Sequence, residues 1–369
     1  MITSESVLLF PTAGLTISAV DLVHQTTSHK QEIVRKVAEV CSWWFNGTDH
    51  LEITTSGSTG KPKVLSFSRE AIKGSIKRTT SALDLKKGST ALLALDVSFI
   101  GGKMMILRAL EEGFNLICVP PSSNPLKFIA QHQSINFAAF VPLQVEAILN
   151  DAETKEQFKH ISTVIIGGAT VNLALRKKLE SISTKTYLTF GMTETLSHIA
   201  LMRISPENNS YTVLPDIKVE QDTRGCLVIE IPHIGSTQII TNDLIEKIDD
   251  QHFRWLGRMD YVINSGGIKF NPEVLESKAE NDIRAHLRNG SFIFTSLPDE
   301  RLSNKIVLLI FDCPQPTIQD CLMITEVLEN CLDPYERPKE IRWSQLQEKN
   351  PGGKLDRKLT LAASIKLWP

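Results

Sequence analysis

The stretch TVIIGGATVNLALRKKLESI, residues 163–182, sets the fold. Its first four residues form an unbroken apolar run that stops at Gly167-Gly168, and the part from 171 onward repeats apolar residues at helical spacing. A short apolar strand, a glycine turn and a helix make a βα unit, and a strand apolar on both faces belongs inside a parallel sheet. The same texture recurs in TALLALDV (90–97), NLICVPP (115–121) and INFAAFVP (135–142). Helical spacing separates these runs, in PLKFIAQHQS (125–134) and QVEAILNDAETKEQFKH (144–160). The pattern predicts an α/β fold with mostly parallel strands and flanking helices, with ligands gathered at the carboxyl ends of the strands. Loops such as TTSGSTG and GGAT are expected there.

After about residue 210 the texture changes. YTVLPDIKVEQD, GCLVIEIP and TQIITNDLIEKIDDQHFRWLG alternate apolar and polar residues, as antiparallel strands of a small β-barrel-like region do. The remainder reads as a small α+β unit, with helices at 271–287 and 318–332 and strands in SFIFTSLP and KIVLLIFD. The expected division is a large domain over 1–258 and a small one over 259–369.

At 369 residues the chain is long enough for a large core. Hydrophobic residues make up 42% and charged residues 22%, with a formal net charge of -2, a balance that speaks against a dedicated nucleic-acid binder. Six dispersed cysteines show neither a C-x-x-C pair nor zinc spacing, which suits reduced thiols in the cytoplasm. The most apolar stretch, 91–110, is interrupted by Asp96, Lys103 and Arg108, so stable membrane insertion is not expected.

TTSGSTGKPK, residues 54–63, raises the chemical question. It is not a Walker A loop: Thr55 stands where the first glycine should be, and Pro62 follows Lys61 where a magnesium-binding hydroxyl is needed. Thr55, Ser56, Gly57, Ser58, Thr59, Gly60 and Lys61 can still surround phosphates with N–H groups, hydroxyls and positive charge, or form a solvated linker. YLTFGMTET, 187–195, offers an aromatic ring, a glycine, a hydroxyl and a carboxylate, or a structural turn. A third segment, 255–273, contains GRMDYVINSGG. The fourth, NPGGKLDR at 350–357, puts a lysine on a glycine-rich loop or on a frayed tail.

Taken in order, TTSGSTGKPK, the GGA of IIGGAT, FGMTE, the Asp of TNDL, GRMDYVINSGG with NPEVLE, and NPGGKLDR resemble the motifs of the adenylate-forming superfamily. That family includes acyl- and aryl-CoA synthetases, luciferases and peptide-synthetase adenylation domains. The resemblance implies two half-reactions. A carboxylate attacks the α-phosphate of ATP and releases pyrophosphate, and the thiol of coenzyme A then displaces AMP. It also implies roles by position. Lys354 would bridge carboxylate and α-phosphate, Thr193 would touch that phosphate, and Glu194 would hold Mg2+. Gly167, Gly168 and Ala169 would line the adenine slot, with Phe190 stacking on the base beside Gly191. Asp243 and Arg258 would hold the ribose, since a carboxylate can accept from two hydroxyls. Asp260 would be the hinge of a mobile small domain, and Gly266-Gly267 would move towards the pantetheine channel.

Three departures stand out. Phe190 replaces a common tyrosine, Asn242 a common glycine, and Phe99 a common histidine. Only about fifty residues precede the Ser/Thr-Gly loop, far fewer than in most members. Compact members of this kind resemble o-succinylbenzoate–CoA ligases of menaquinone biosynthesis, to which FGMTETLSHIALMR is also similar. Such a substrate has a second carboxylate needing a partner, for which Lys103, Ser197, His198 and Arg203 are candidates. The Trp-Trp-Phe at 43–45 is expected to contribute to a shortened cover. A ligase for another acid or for a carrier protein, and a non-catalytic nucleotide-binding homologue, remain alternatives. A homodimer is compatible with the sequence.

Overall fold

The computed structural model describes residues 6–24, 29–55, 63–234, 238–287, 290–348 and 355–368. Its largest element is a 13-stranded sheet. Six strands in its middle run parallel: Lys185–Gly191, Thr163–Ile166, Phe137–Phe140, Thr90–Leu93, Asn115–Cys118 and Val7–Phe10, in that spatial order. Alternate residues of each strand enter different cores. Leu93, Phe137 and Ile165 face one apolar cluster, while Leu92, Ala138 and Val164 face another. Burial on both faces is what an unbroken apolar strand requires.

Leu15–Ser18 closes one edge of the sheet, antiparallel to Val7–Phe10, and on the other side antiparallel pairing begins at His198–Arg203, a little before the change of texture in the sequence. It continues through Tyr211–Val213, His252–Arg258, Ile239–Lys247, Cys226–Glu230 and Lys218–Gln221. These strands hydrogen-bond directly onto the parallel ones and extend the same sheet.

Two expected helices differ. Residues 125–134 form only a 3-10 turn, Pro125–Phe128, which closes with Ile129 already extended. Residues 144–160 hold two helices, Pro142–Leu149 and Ala152–Lys159, because the Asp151 carboxylate caps a new start by accepting from the Thr154 N–H at 3.0 Å. The strands that flank the Ser/Thr-Gly loop, His50–Thr55 and Lys63–Ser68, lie outside the parallel sheet and pair antiparallel in a separate two-stranded sheet. Seven residues can reverse a chain, whereas a parallel crossover needs a dozen or more.

Beyond Arg258 a four-stranded sheet, Ser291–Asp299, Ser303–Phe311, Glu340–Ser344 and Ile365–Trp368, packs one face on helices Pro272–Arg284 and Ile318–Cys331. Ile306, Leu308 and Ile310 meet Leu275, Ile283, Ile324 and Leu328 in a third core. The whole is a large N-terminal sheet domain with a smaller C-terminal α+β domain. Among the described residues no helix is long and apolar enough to cross a membrane.

The 43–45 stretch ends helix Glu32–Phe45. Trp43 and Trp44 stack on the Arg69 guanidinium at 4.8 and 4.7 Å, and Arg69 donates to the Trp44 carbonyl at 3.0 Å. This clamp joins that helix to the start of helix Arg69–Ala82, which follows the Ser/Thr-Gly loop.

Candidate active site

Strand Lys185–Gly191 carries the site to the edge of the parallel region. Gly167 leaves the neighbouring strand end, and a side chain on it would collide with the Thr189 hydroxyl, so the glycine loop sits directly beside the residue before Phe190. Gly168 takes φ +85, a conformation open mainly to glycine. Gly168 and Ala169 are exposed, and Phe190 is half-buried. The Phe190 ring meets Phe253 at 5.3 Å and Tyr211 at 5.5 Å, both edge-on. The expected adenine-slot residues are thus neighbours in space.

Thr193 and Glu194 lie on the 3-10 turn Thr193–Thr195, with Thr193 half-buried and Glu194 exposed. The chain then makes a tight turn at Leu196, whose φ is 64, with the Ser197 N–H donating to the Thr195 carbonyl at 2.7 Å. A positive φ is strained for leucine, and complete burial of its side chain holds it there. The turn aims Ser197 and His198 inward.

What they meet is Arg108. This residue, from helix Ile100–Glu112, is 2% exposed, and its Nη2 donates to the Ser197 Oγ at 2.9 Å. Its Nε has no hydrogen-bond partner among the described residues, and no carboxylate there forms an ion pair with it. Burial lowers its pKa to about 10, still leaving the guanidinium charged at neutral pH. The Ser197 Oγ lies 3.3 Å from His198 Nδ1, and His198 Nε2 lies 3.1 Å from the hydroxyl of Thr79, on helix Arg69–Ala82. Burial, helped by the Arg108 charge, pushes the His198 imidazole well below its ordinary range and keeps it neutral. The sequence pointed to Ser197 and His198 but missed Arg108 and Thr79. The signal for Arg108 was present, since it interrupts the same apolar run as Lys103, and a buried unpaired charge is costly.

The other two cation candidates are placed elsewhere. Lys103 is half-buried, and its charged neighbours are Glu39, Asp96 and Lys36 rather than the Arg108 cluster. Arg203 is exposed at the far end of strand His198–Arg203, roughly 16 Å from His198 at the usual strand rise. Neither joins the buried group.

Asp243 and Arg258 are direct register partners across a hairpin, with Arg258 Nη1 at 3.6 Å from Asp243 Oδ2. Asp243 is buried and accepts from Trp255 Nε1 at 3.1 Å. Arg258 also donates to Asp260 Oδ2 at 2.6 Å, while Asn242 Nδ2 donates to Asp260 Oδ1 at 2.9 Å. The Asn242 side chain accepts in turn from Arg224 at 3.0 Å, so the residue standing at a common glycine position is tied into the turn at Asp260. Gly266 and Gly267 take φ +60 and +84 in a two-residue hairpin between Ile263–Ser265 and Ile268–Phe270. A primed turn of this kind needs positive φ at both positions.

Behind this turn, Asn271 and Glu273 start helix Pro272–Arg284 and press on Gly257, where any side chain would collide with both. Arg357 grips Glu276 through both oxygens at 2.5 and 3.0 Å, donates to the Phe294 carbonyl, and stacks on Tyr261 at 5.1 Å. Burial lifts Glu273 to about 7, with Arg357 opposing it. Ser56, Gly57, Ser58, Thr59, Gly60, Lys61 and Lys354 lie outside the described residues, as does the side chain of Thr55. Among the described residues no three His, Cys, Asp or Glu side chains cluster as a metal cage. A magnesium held mostly by phosphates and water needs only one or two carboxylates, and Glu194, whose side chain is exposed, fits that demand.

Comparison with known proteins points the same way. The profile of the AMP-binding enzyme family matches residues 51–225. An acyl-CoA synthetase (AMP-forming)/AMP-acid ligase II-like protein from Dyadobacter fermentans is 31% identical, with 93% of this chain and 97% of that one covered and a TM-score of 0.62. The 2-succinylbenzoate–CoA ligase of Lactococcus lactis is 23% identical over 326 residues, 83% of this chain and 69% of the relative. The o-succinylbenzoate CoA synthetase of Bacillus subtilis, in complex with its acyl-adenylate intermediate, shares the fold with a TM-score of 0.72 at 17% identity, over 86% of this chain and 70% of that one. With the motif order, the glycine loop beside Phe190 and the Asp243–Arg258 pair, these similarities establish that the chain belongs to the AMP-binding enzymes, the adenylate-forming ligases.

Proposed function

We propose that the protein activates an aromatic acid bearing a second carboxylate, of the o-succinylbenzoate type, and transfers the acyl group to coenzyme A. The observation that carries this reading is the buried Arg108 guanidinium, which hydrogen-bonds Ser197 but forms no ion pair with a carboxylate among the described residues. A buried cation without an anion is costly, and a substrate carboxylate would relieve that cost. The names of the Lactococcus and Bacillus relatives favour the same substrate class.

In the first half-reaction a carboxylate oxygen attacks the α-phosphorus of ATP, and the bond to pyrophosphate breaks. Charge must be neutralised and the partners held in line. Lys354 takes the bridging position between carboxylate and α-phosphate, and Thr193 contacts that phosphate. Gly167 to Ala169 and Phe190 receive adenine, with Gly191 beside them, while Asp243 and Arg258 receive the ribose. The loop 55–61 surrounds the leaving phosphates. Glu194 would hold magnesium, which would supply charge neutralisation on the triphosphate when bound. Residues 259–369 then turn about Asp260 and bring Gly266-Gly267 to the thiol channel, where the coenzyme A sulfur attacks the acyl carbon and AMP leaves. We place this chemistry in the cytoplasm, alongside ATP and coenzyme A.

The test is mass spectrometry of products from ATP, magnesium, coenzyme A and o-succinylbenzoate, beside benzoate, acetate and a medium-chain fatty acid. An o-succinylbenzoyl-CoA signal well above the others supports the reading. A thioester of another acid keeps the chemistry and overturns the substrate.

A further inference from the structure

The hydrogen bonds around Arg108 form a chain whose direction can be worked out from both ends. A guanidinium can only donate, so Ser197 Oγ accepts from Arg108 Nη2 at 2.9 Å and its own proton is free to go elsewhere. At the other end, Thr79 Oγ1 donates to the Ser75 carbonyl one helical turn back at 3.1 Å, leaving its lone pairs to accept. His198 stands between these hydroxyls, with Nδ1 facing Ser197 and Nε2 facing Thr79. One arrangement satisfies both hydroxyls and both ring nitrogens. Ser197 donates to Nδ1, Nε2–H donates to Thr79, and Thr79 donates to the backbone. The reverse tautomer would put the Nε2 lone pair against Thr79 and pull the hydroxyl proton away from the Ser75 carbonyl. An imidazolium would add a second buried cation beside Arg108.

We infer that His198 is a positioning residue. As the neutral Nε2–H tautomer, joined to Thr79, it commits the Ser197 proton away from the site and so locks Arg108 in place as the donor for an anionic group of the acid. The inference rests on the proposed substrate class, and it adds a constraint. Ser197 presents only its oxygen to Arg108 and cannot itself donate to the substrate. Recognition of the second carboxylate therefore falls on the remaining N–H groups of Arg108. The order of the site depends on Thr79, 119 positions away in sequence from the histidine it fixes.

Two measurements on the full chain test this. Long-range proton–nitrogen NMR of the protein labelled with 15N-histidine, with the His198 signals assigned by their loss in His198→Gln, should show an unprotonated Nδ1 and a protonated Nε2 at pH 7. An Nδ1–H tautomer or an imidazolium overturns the relay. Separately, the ratio of kcat/KM for o-succinylbenzoate over benzoate should fall about ten-fold in Thr79→Val and return to within about two-fold of the parent in Thr79→Ser, the size of one hydrogen bond to a charged group's partner. A Thr79→Val variant with the parent ratio overturns the positioning role, since a purely structural threonine would lower both activities together. If the parent protein shows no preference for the dicarboxylate, the substrate reading fails, and the tautomer alone then decides the relay.

Discussion

Gly191 and His198 are register partners across an antiparallel pair, and their strands approach so closely that a methyl on the glycine would stand 2.5 Å from both the His198 Cα and the Ser197 carbonyl oxygen. No side-chain rotation relieves such a clash, because both opposing atoms belong to the backbone. Gly191→Ala should therefore lower stability by about 2 kcal/mol, the usual penalty of forced overpacking. It should also raise KM for the acid more than KM for ATP, since the strand that must shift carries Ser197. Thermal melts and steady-state kinetics check both parts.

Arg108→Met separates binding from stability. Methionine keeps the length and apolar stem while removing a buried charge. The variant should melt at the same temperature or higher. KM for o-succinylbenzoate should rise by about 30-fold or more, as expected for the loss of a buried charge pair worth about 2 kcal/mol or more. A drop in melting temperature without a change in KM would remove Arg108 from substrate recognition.

Glu273 makes stability depend on pH in a defined direction. Burial raises its pKa from 4.5 to about 7, so the folded protein holds this proton where the unfolded chain has lost it. Stability from this group is full below about pH 4.5 and declines as pH rises through 7. Glu273→Gln should leave stability at pH 5 nearly unchanged and raise it at pH 8 by about 1–3 kcal/mol, since each tenfold difference in proton affinity between folded and unfolded chains is worth about 1.4 kcal/mol. Denaturant titrations at the two pH values decide the sign.

Lys354→Ala should reduce adenylate formation about a thousand-fold while leaving ATP affinity and the melting temperature near those of the parent. Isotope exchange between pyrophosphate and ATP reads the first step alone. An unchanged exchange rate would remove Lys354 from that step.

Much of the architecture was legible because it rests on local pattern. The strand end at Ile166 follows from an apolar run meeting Gly167-Gly168, whereas strands Thr90–Leu93 and Phe137–Phe140 close before their apolar runs do. The break at Asn150-Asp151 was hidden because a single capping carboxylate overrode continuous helical spacing. Strand Val7–Phe10 gave no signal of its own, since it gains its place only by pairing with Asn115–Cys118, over a hundred residues later. The same reason hid the Arg108 cluster. Motif order brought out Ser197 and His198, yet Thr79 looks like any helix threonine until the fold sets it against the imidazole. A cation in an apolar run was visible at both Lys103 and Arg108. Which of them faces carboxylates of its own chain, as Lys103 does with Glu39 and Asp96, depends on helix rotation that spacing alone leaves open.

Arg258 has one guanidinium and two claimants, Asp243 across the hairpin and Asp260 in the turn that follows. If, as proposed, Asp243 and Arg258 receive the ribose, a ribose that draws this group towards Asp243 would weaken its hold on Asp260, and a turn that keeps Asp260 engaged would leave less of it for the ribose. By reciprocity, whatever a nucleotide does to free that turn, freeing the turn does equally for the nucleotide. On the proposed roles of Asp243 and Asp260, occupancy and swing would be geared to each other through a single side chain, with no need for a longer line of transmission.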